Sequence, residues 1–108
     1  MEKIALMVAT LFFVSATAHA APVKILGAGS YTCGNHTSSS EAEKVLDLQW
    51  VTGYLSAMSI GTQVDFLQGV DSPAIAGALD LYCKNSPLDM MAAAAGDIYK
   101  QLLKRAKK

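Results

Sequence analysis

The amino-acid sequence predicts a small all-α bundle of three main helices, which follows a cleaved signal peptide and is stapled by one disulfide. Three observations lead to this prediction. Helix-start signals occur at three places after residue 39, apolar residues then recur three and four positions apart, and the chain contains two cysteines. Amphipathic helices joined by short connections bury their apolar faces in a bundle.

The first twenty residues have the three parts of a secretory signal peptide. Lys3 precedes an apolar run at 4–14, and Ala18-His19-Ala20 is an A-x-A cleavage site. The apolar run is shorter than the roughly 20 residues that a membrane-spanning helix needs. We therefore expect cleavage after Ala20 and a periplasmic or secreted mature chain, residues 21–108, that does not enter a membrane.

The mature chain is predicted to be a single domain with balanced charge. The whole sequence has nine acidic and nine basic residues, and the signal peptide contains one of each, Glu2 and Lys3. This balance does not indicate nucleic acid as a partner. The only asymmetry is a basic C-terminal tail at 100–108.

The two cysteines, Cys33 and Cys83, both lie in the mature chain. An even cysteine count in an exported protein indicates a disulfide, and two cysteines allow one pairing within the chain. Free thiols and a bridge between two chains are the alternatives. The sequence has no C-x-x-C motif, so redox catalysis has no support.

Residues 21–39 are predicted to form an extended arm followed by a polar loop. The loop contains His36, the only histidine of the mature chain. One histidine without an acid or a free thiol nearby in sequence does not make a metal site. We therefore expect His36 to be a plain surface residue.

The central helix is predicted to run from residue 41 to about residue 60. Ser40 and Glu43 have the spacing of a capping box, and Gly61 is a suitable stop. Two adjacent apolar faces indicate that the helix is covered on most of its circumference from Gln49 onward.

Two further helices are predicted from serine–proline pairs, in which serine is the cap and proline takes the first helical position. Ser72-Pro73 begins the second helix, which ends near Lys84. Ser86-Pro87 begins the third, which continues to about Lys104.

A glycine inside the central helix, Gly53, requires an explanation because glycine there costs about 0.5–1 kcal/mol relative to alanine. Close packing against the alanine run at 92–95 is one explanation, and a groove left open for a partner is the other. The candidate protein-binding surface is Trp50, Gly53, Tyr54 and Met58. The aromatic residues among them also suit a core, so both interpretations stay open.

The sequence contains no recognisable catalytic setting. It has no nucleophile motif, no phosphate-binding loop and no cofactor or metal motif. We therefore expect a protein that is not an enzyme and that needs no cofactor.

Three segments carry a resemblance to small bacterial periplasmic helical proteins: YTCG at 31–34, WVTGYLSA at 50–57 and LYCKNSPLD at 81–89. The spacing from Cys83 to Pro87 is similar to a segment of the HdeA/HdeB acid-stress chaperones. Gly53-Tyr54 in a helix before a cysteine–proline segment is similar to the Rap1a/Tai immunity proteins. The resemblance covers most of the mature chain and contributes no catalytic residues. It implies a protein partner, either a client or a toxin, and a homodimer as a further form of association.

An acid-stress chaperone and an immunity protein would use this chain differently. A chaperone would lose its carboxylate charges at low pH, and self-repulsion would then expose Trp50, Tyr54 and Met58 to clients. An immunity protein would stay folded and block a secreted toxin with a preformed surface. A periplasmic domain with another role is the third interpretation.

Overall fold

The computed structural model describes residues 23–108, which form one short 3-10 helix and four α-helices. The described residues contain no β-strand, so the predicted all-α class is confirmed; an isolated bridge joins Thr32 to Met90. The predicted signal peptide lies outside the described residues. None of the helices described is long and apolar enough to span a membrane. The elements are the 3-10 helix Gly27–Ser30, α1 Cys33–Ser38, α2 Glu41–Thr62, α3 Ser72–Asn85 and α4 Met91–Ala106.

Helix α2 begins as predicted and ends two residues later than expected. The Ser40 hydroxyl accepts from the Glu43 amide, and the Glu43 carboxylate accepts from the Ser40 amide, which completes the capping box. The helix continues through Gly61 to Thr62. Gln63 then takes the left-handed conformation, with φ of 57°, which is the backbone state that commonly ends a helix.

Helix α3 is capped by a different residue from the one predicted. Asp71, not Ser72, occupies the N-cap, and its Oδ1 accepts from the Ala74 amide at 2.9 Å. Pro73 lies in the first turn, where a missing amide hydrogen costs nothing. The helix ends at Asn85, one residue after the predicted end near Lys84.

Helix α4 begins at Met91, so the predicted start at Pro87 is wrong. The segment before it is drawn into backbone hydrogen bonds with the beginning of α1. The Cys33 and Gly34 amides donate to the carbonyls of Asp89 and Pro87, at 2.7 and 2.8 Å. These bonds hold the segment out of helical geometry until residue 91.

Part of the predicted arm and polar loop is also helical. Residues 33–38 form α1, with the Thr32 hydroxyl accepting from the Asn35 amide at its N-cap. A helix of six residues is too short to be stable alone. Its position therefore depends on what it is joined to.

The disulfide between Cys33 and Cys83 is confirmed, and it joins the first residue of α1 to the last turn of α3. The two Cα atoms are 4.7 Å apart, within the range of a disulfide. Both cysteines are fully buried in one apolar core to which α1, α2, α3 and α4 all contribute. Its largest members are Val51, Leu55, Phe66, Ile75, Leu79, Met91 and Ile98.

Of the two explanations for Gly53, close packing against the alanine run of α4 is wrong. A Cβ atom added at Gly53 would meet nothing within 4 Å, and the residue is exposed. The close glycine contact belongs to Gly29 in the 3-10 helix, where an added Cβ would overlap the Trp50 ring. Trp50 also donates from Nε1 to the Leu26 carbonyl at 2.9 Å, so its ring fixes the N-terminal arm to α2.

Candidate functional site

A buried histidine lies between two carboxylates where α1, α2 and α3 meet. His36 on α1 has its Nδ1 2.7 Å from Oδ2 of Asp47 on α2, and its Nε2 3.1 Å from Oδ1 of Asp80 on α3. His36 and Asp47 are only 2% and 4% exposed. The Asp80 side chain is 66% exposed. We refer to these three residues as the His36 cluster.

The His36 cluster brings both ring nitrogens within hydrogen-bond distance of a carboxylate. An ionised carboxylate only accepts hydrogen bonds, so a ring nitrogen that bonds to one must carry a hydrogen. With both carboxylates ionised, the ring carries two hydrogens and a positive charge, and each contact is a charge-assisted hydrogen bond.

The His36 cluster joins helices and has no unoccupied ring nitrogen. A general base needs a free nitrogen lone pair within reach of a substrate proton, and both nitrogens of His36 are occupied by carboxylates. The cluster therefore anchors α1 to α2 and α3. The expectation that His36 is a plain surface residue is wrong, because it ignored contacts with residues 11 and 44 positions away.

One sequence signal for the burial of His36 exists. His36 follows Cys33 by three positions, which places both residues on the same side of a helix. A cysteine in a disulfide is usually buried, so a helix over 33–38 would turn His36 toward the core. The polar composition of this segment has no apolar periodicity from which that helix could be predicted.

The candidate protein-binding residues lie on α2, but they do not share one environment. Trp50, Tyr54 and Met58 are half-buried and pack against the edge of the core, whereas Gly53 is exposed. Trp50 and Tyr54 stack with their ring centroids 5.9 Å apart. The aromatic residues thus belong partly to the core and partly to the surface.

An exposed face of α2 runs beside these residues. It contains no charged side chain between Leu46, which is 62% exposed, and Ile60, which is 79% exposed. Leu46 and Ile60 are fourteen positions apart, so the face is about 21 Å long. We call this the α2 face, and its exposed members are Leu46, Gln49, Gly53, Ser56, Ala57 and Ile60.

A groove of about 750 Å³ adjoins the N-terminal half of the α2 face. The 3-10 helix, α1 and α2 form its walls, and Asp47 of the His36 cluster lies at its edge. Tyr31 is half exposed there and adds an aromatic side chain. The groove is lined mainly by Tyr31, Asn35, Glu43, Leu46, Asp47 and Trp50.

Within residues 23–108, no group of three or more histidine, cysteine, aspartate or glutamate side chains could hold a metal ion. The two carboxylates of the His36 cluster contact opposite nitrogens of one ring, so the three side chains do not converge on a common point. Comparisons of the chain with protein-family models, with curated proteins and with solved structures found no match.

Proposed function

We propose that this chain is a non-enzymatic exported domain that binds apolar segments of other proteins through the α2 face. The observation that supports this proposal is the uncharged exposed face from Leu46 to Ile60, which is bordered by the half-buried rings of Trp50 and Tyr54. An apolar side chain that remains in water gains about 1.5–3 kcal/mol when a partner buries it fully. Leu46 and Ile60 would supply this gain.

A chaperone of the HdeA type that acts in acid is the favoured form of this function. The His36 cluster supports it, because contacts with two carboxylates hold α1 against α2 and α3. Acid removes carboxylate charge in general, and a buried charge without its partner is strongly unfavourable. Helix α1 would move away from α2 and widen the groove beside the α2 face.

The chaperone proposal is tested by the aggregation of an acid-unfolded client at pH 2–3, with the mature chain in several-fold molar excess. We expect suppression of aggregation in acid and little effect at neutral pH. Leu46→Lys and Ile60→Lys should weaken the suppression. Leu88→Lys is the matched control, since Leu88 is 91% exposed but lies outside α2. Absence of suppression by the unmodified chain would rule out this form.

An immunity protein of the Rap1a/Tai type is the second candidate. The disulfide and the cap-stabilised helices support it, because they favour a surface that is already formed before the partner arrives. A gene for a secreted toxin next to the gene for this chain is expected. The protein should then inhibit that toxin at neutral pH, and Ile60→Lys should reduce inhibition more than Leu88→Lys. A gene with no toxin or secretion genes beside it would count heavily against this candidate.

A further inference from the structure

A second concave site lies between α3, α4 and the segment that precedes α3. It is a slot of about 170 Å³. Val70, Ile75 and Ile98 form apolar walls, and the two isoleucines are buried. A slot of this size holds one small apolar group, since an engineered cavity of about 150 Å³ in another protein binds benzene.

An arginine is fixed at the rim of this slot. Arg105 donates from one guanidinium nitrogen to the Gln68 carbonyl at 3.3 Å. Gly69, the next residue, takes the left-handed conformation with φ of 74°, which glycine adopts without strain. No carboxylate within residues 23–108 forms a salt bridge with Arg105. Its remaining N–H groups suit the planar oxygens of a carboxylate.

Gln101 adds an acceptor on the same side of α4. It lies four residues before Arg105, which makes the two side chains neighbours on the helix surface. Its amide nitrogen donates to Asp97 at 2.6 Å, while its Oε1 accepts no hydrogen bond from the residues described. The slot therefore combines an apolar floor, a cation and an acceptor at one edge.

The charge around the slot favours an anion. After Asp97 the chain has no acidic side chain, and the basic residues of this stretch are Lys100, Lys104, Arg105, Lys107 and Lys108. These cations outnumber the partial negative charge, about half an elementary charge, at the C-terminal end of α4. The end of the helix that bears Arg105 is therefore positive and attracts a negatively charged group.

We propose that this slot binds the C-terminal residue of a polypeptide whose last side chain is apolar. The slot takes the side chain, Arg105 takes the terminal carboxylate, and Oε1 of Gln101 accepts the amide hydrogen of the last peptide bond. A polypeptide end fits better than a fatty acid, because the slot has room for a leucine-sized group and not for a long acyl chain. This site is separate from the α2 face and does not depend on the function proposed for it.

The probe is an acetylated hexapeptide with C-terminal leucine, titrated into the full mature chain and followed by the NMR methyl signals of Ile75 and Ile98. The free-acid peptide is expected to shift these signals. The same peptide with an amidated terminus should bind about 10- to 100-fold more weakly, because it loses hydrogen bonds to a charged group. Equal binding of the acid and the amide would overturn the proposal, as would the absence of methyl shifts at millimolar free-acid peptide.

Three variants and a second ligand complete the test. Arg105→Gln should weaken the free-acid peptide as much as amidation does. Lys104→Gln, a loss of charge on the adjacent residue outside the slot, should change affinity by less than about fivefold. Ala74→Leu fills the slot from its exposed edge and should abolish binding. If hexanoate binds as tightly as the peptide, the slot is a site for small carboxylates and the polypeptide assignment is wrong.

Discussion

His36 is buried with a charge that two carboxylates balance from unequal positions. We predict that His36→Gln lowers the free energy of unfolding by about 3–5 kcal/mol, because it leaves the buried Asp47 carboxylate without its counter-charge. Asp80→Asn should cost about 1 kcal/mol or less, since the Asp80 side chain is 66% exposed. Urea unfolding at neutral pH measures both. Equal costs for the two variants would contradict the unequal roles assigned here.

Tyr82 provides a test at alkaline pH. Its hydroxyl donates to Oδ2 of Asp89. This hydrogen bond, with smaller contributions from burial and from the charges of Asp89 and Asp97, raises the pKa of Tyr82 from 10.0 to about 12. Between these values the unfolded chain loses a proton that the folded chain keeps, so this group makes the fold less stable as pH rises from 10 to 12.

The expected result for Tyr82 is a late phase of tyrosinate absorbance near pH 12. Tyr82→Phe should remove that phase, and Asp89→Asn should move it toward pH 10. Tyr31→Phe is the control, because Tyr31 is exposed and does not take part in the contact with Asp89. A late phase that persists in Tyr82→Phe would assign it to another residue.

At the scale of elements, the N-cap of α3 is not the residue that the sequence pattern predicted. Both Asp71 and Ser72 are suitable caps by residue type, and the structure uses Asp71. We predict that Asp71→Ala costs about 1 kcal/mol of unfolding free energy, the usual value of an N-cap. Ser72→Ala should be nearly neutral, because its hydroxyl makes no hydrogen bond among the described residues. Thermal and urea unfolding of the two variants give the comparison, and a larger loss for Ser72→Ala would contradict the assignment.

The N-terminal arm packs against α2, and two glycine variants test this contact. Gly29→Ala should cost about 1–3 kcal/mol, since its Cβ would overlap the Trp50 ring and force a shift. The fluorescence of Trp50, the only tryptophan, should change with it. Gly53→Ala is the matched variant and should stabilise the protein by about 0.5–1 kcal/mol, because the site is helical and open. Destabilisation by Gly53→Ala would indicate a contact that the structure does not contain.

The elements that the sequence predicted well are those whose signals are local. Ser40 and Glu43 fix the start of α2 through bonds three residues apart, and α3 ends at Asn85, next to the predicted end near Lys84. The start of α4 was mispredicted because Pro87 and Asp89 bond to the backbone of residues 33 and 34. No local pattern reports a partner more than fifty positions away.

At the scale of the whole molecule, the difference between local signals and long-range contacts also explains which sites could be predicted from the sequence. The prediction that α2 is covered on most of its circumference from Gln49 onward is wrong, because Gln49, Gly53 and Ile60 are exposed; an apolar run shows that a helix has little charge but not which side a neighbour covers. The His36 cluster and the slot at Arg105 could not be predicted, since each is assembled from three or more separate parts of the chain. Trp50 lies between these cases: the sequence left core and surface both open for its ring, which is half-buried, and its contact with Gly29 depends on how the arm folds back.

The disulfide is a covalent constraint between distant parts of the chain. It closes a loop of 50 residues, which corresponds to about 4 kcal/mol in the chain-entropy model. We predict that the paired variant Cys33→Ala, Cys83→Ala loses about this amount in urea unfolding and remains helical by circular dichroism. A loss below about 1 kcal/mol would show that α1 and α3 are held together without the bridge.

The disulfide and the His36 cluster both anchor α1, so their contributions should not be independent. Once Cys33 is no longer joined to α3, the short helix is held less firmly, and less is lost when His36 is also replaced. We predict that the triple variant, with His36→Gln added to the two cysteine changes, is more stable than the sum of the separate losses implies, by about 0.5–3 kcal/mol. A double-mutant cycle from four urea unfolding curves measures this coupling. Additive losses would mean that the cluster stabilises the contact between α2 and α3 directly, and that α1 contributes only the His36 side chain.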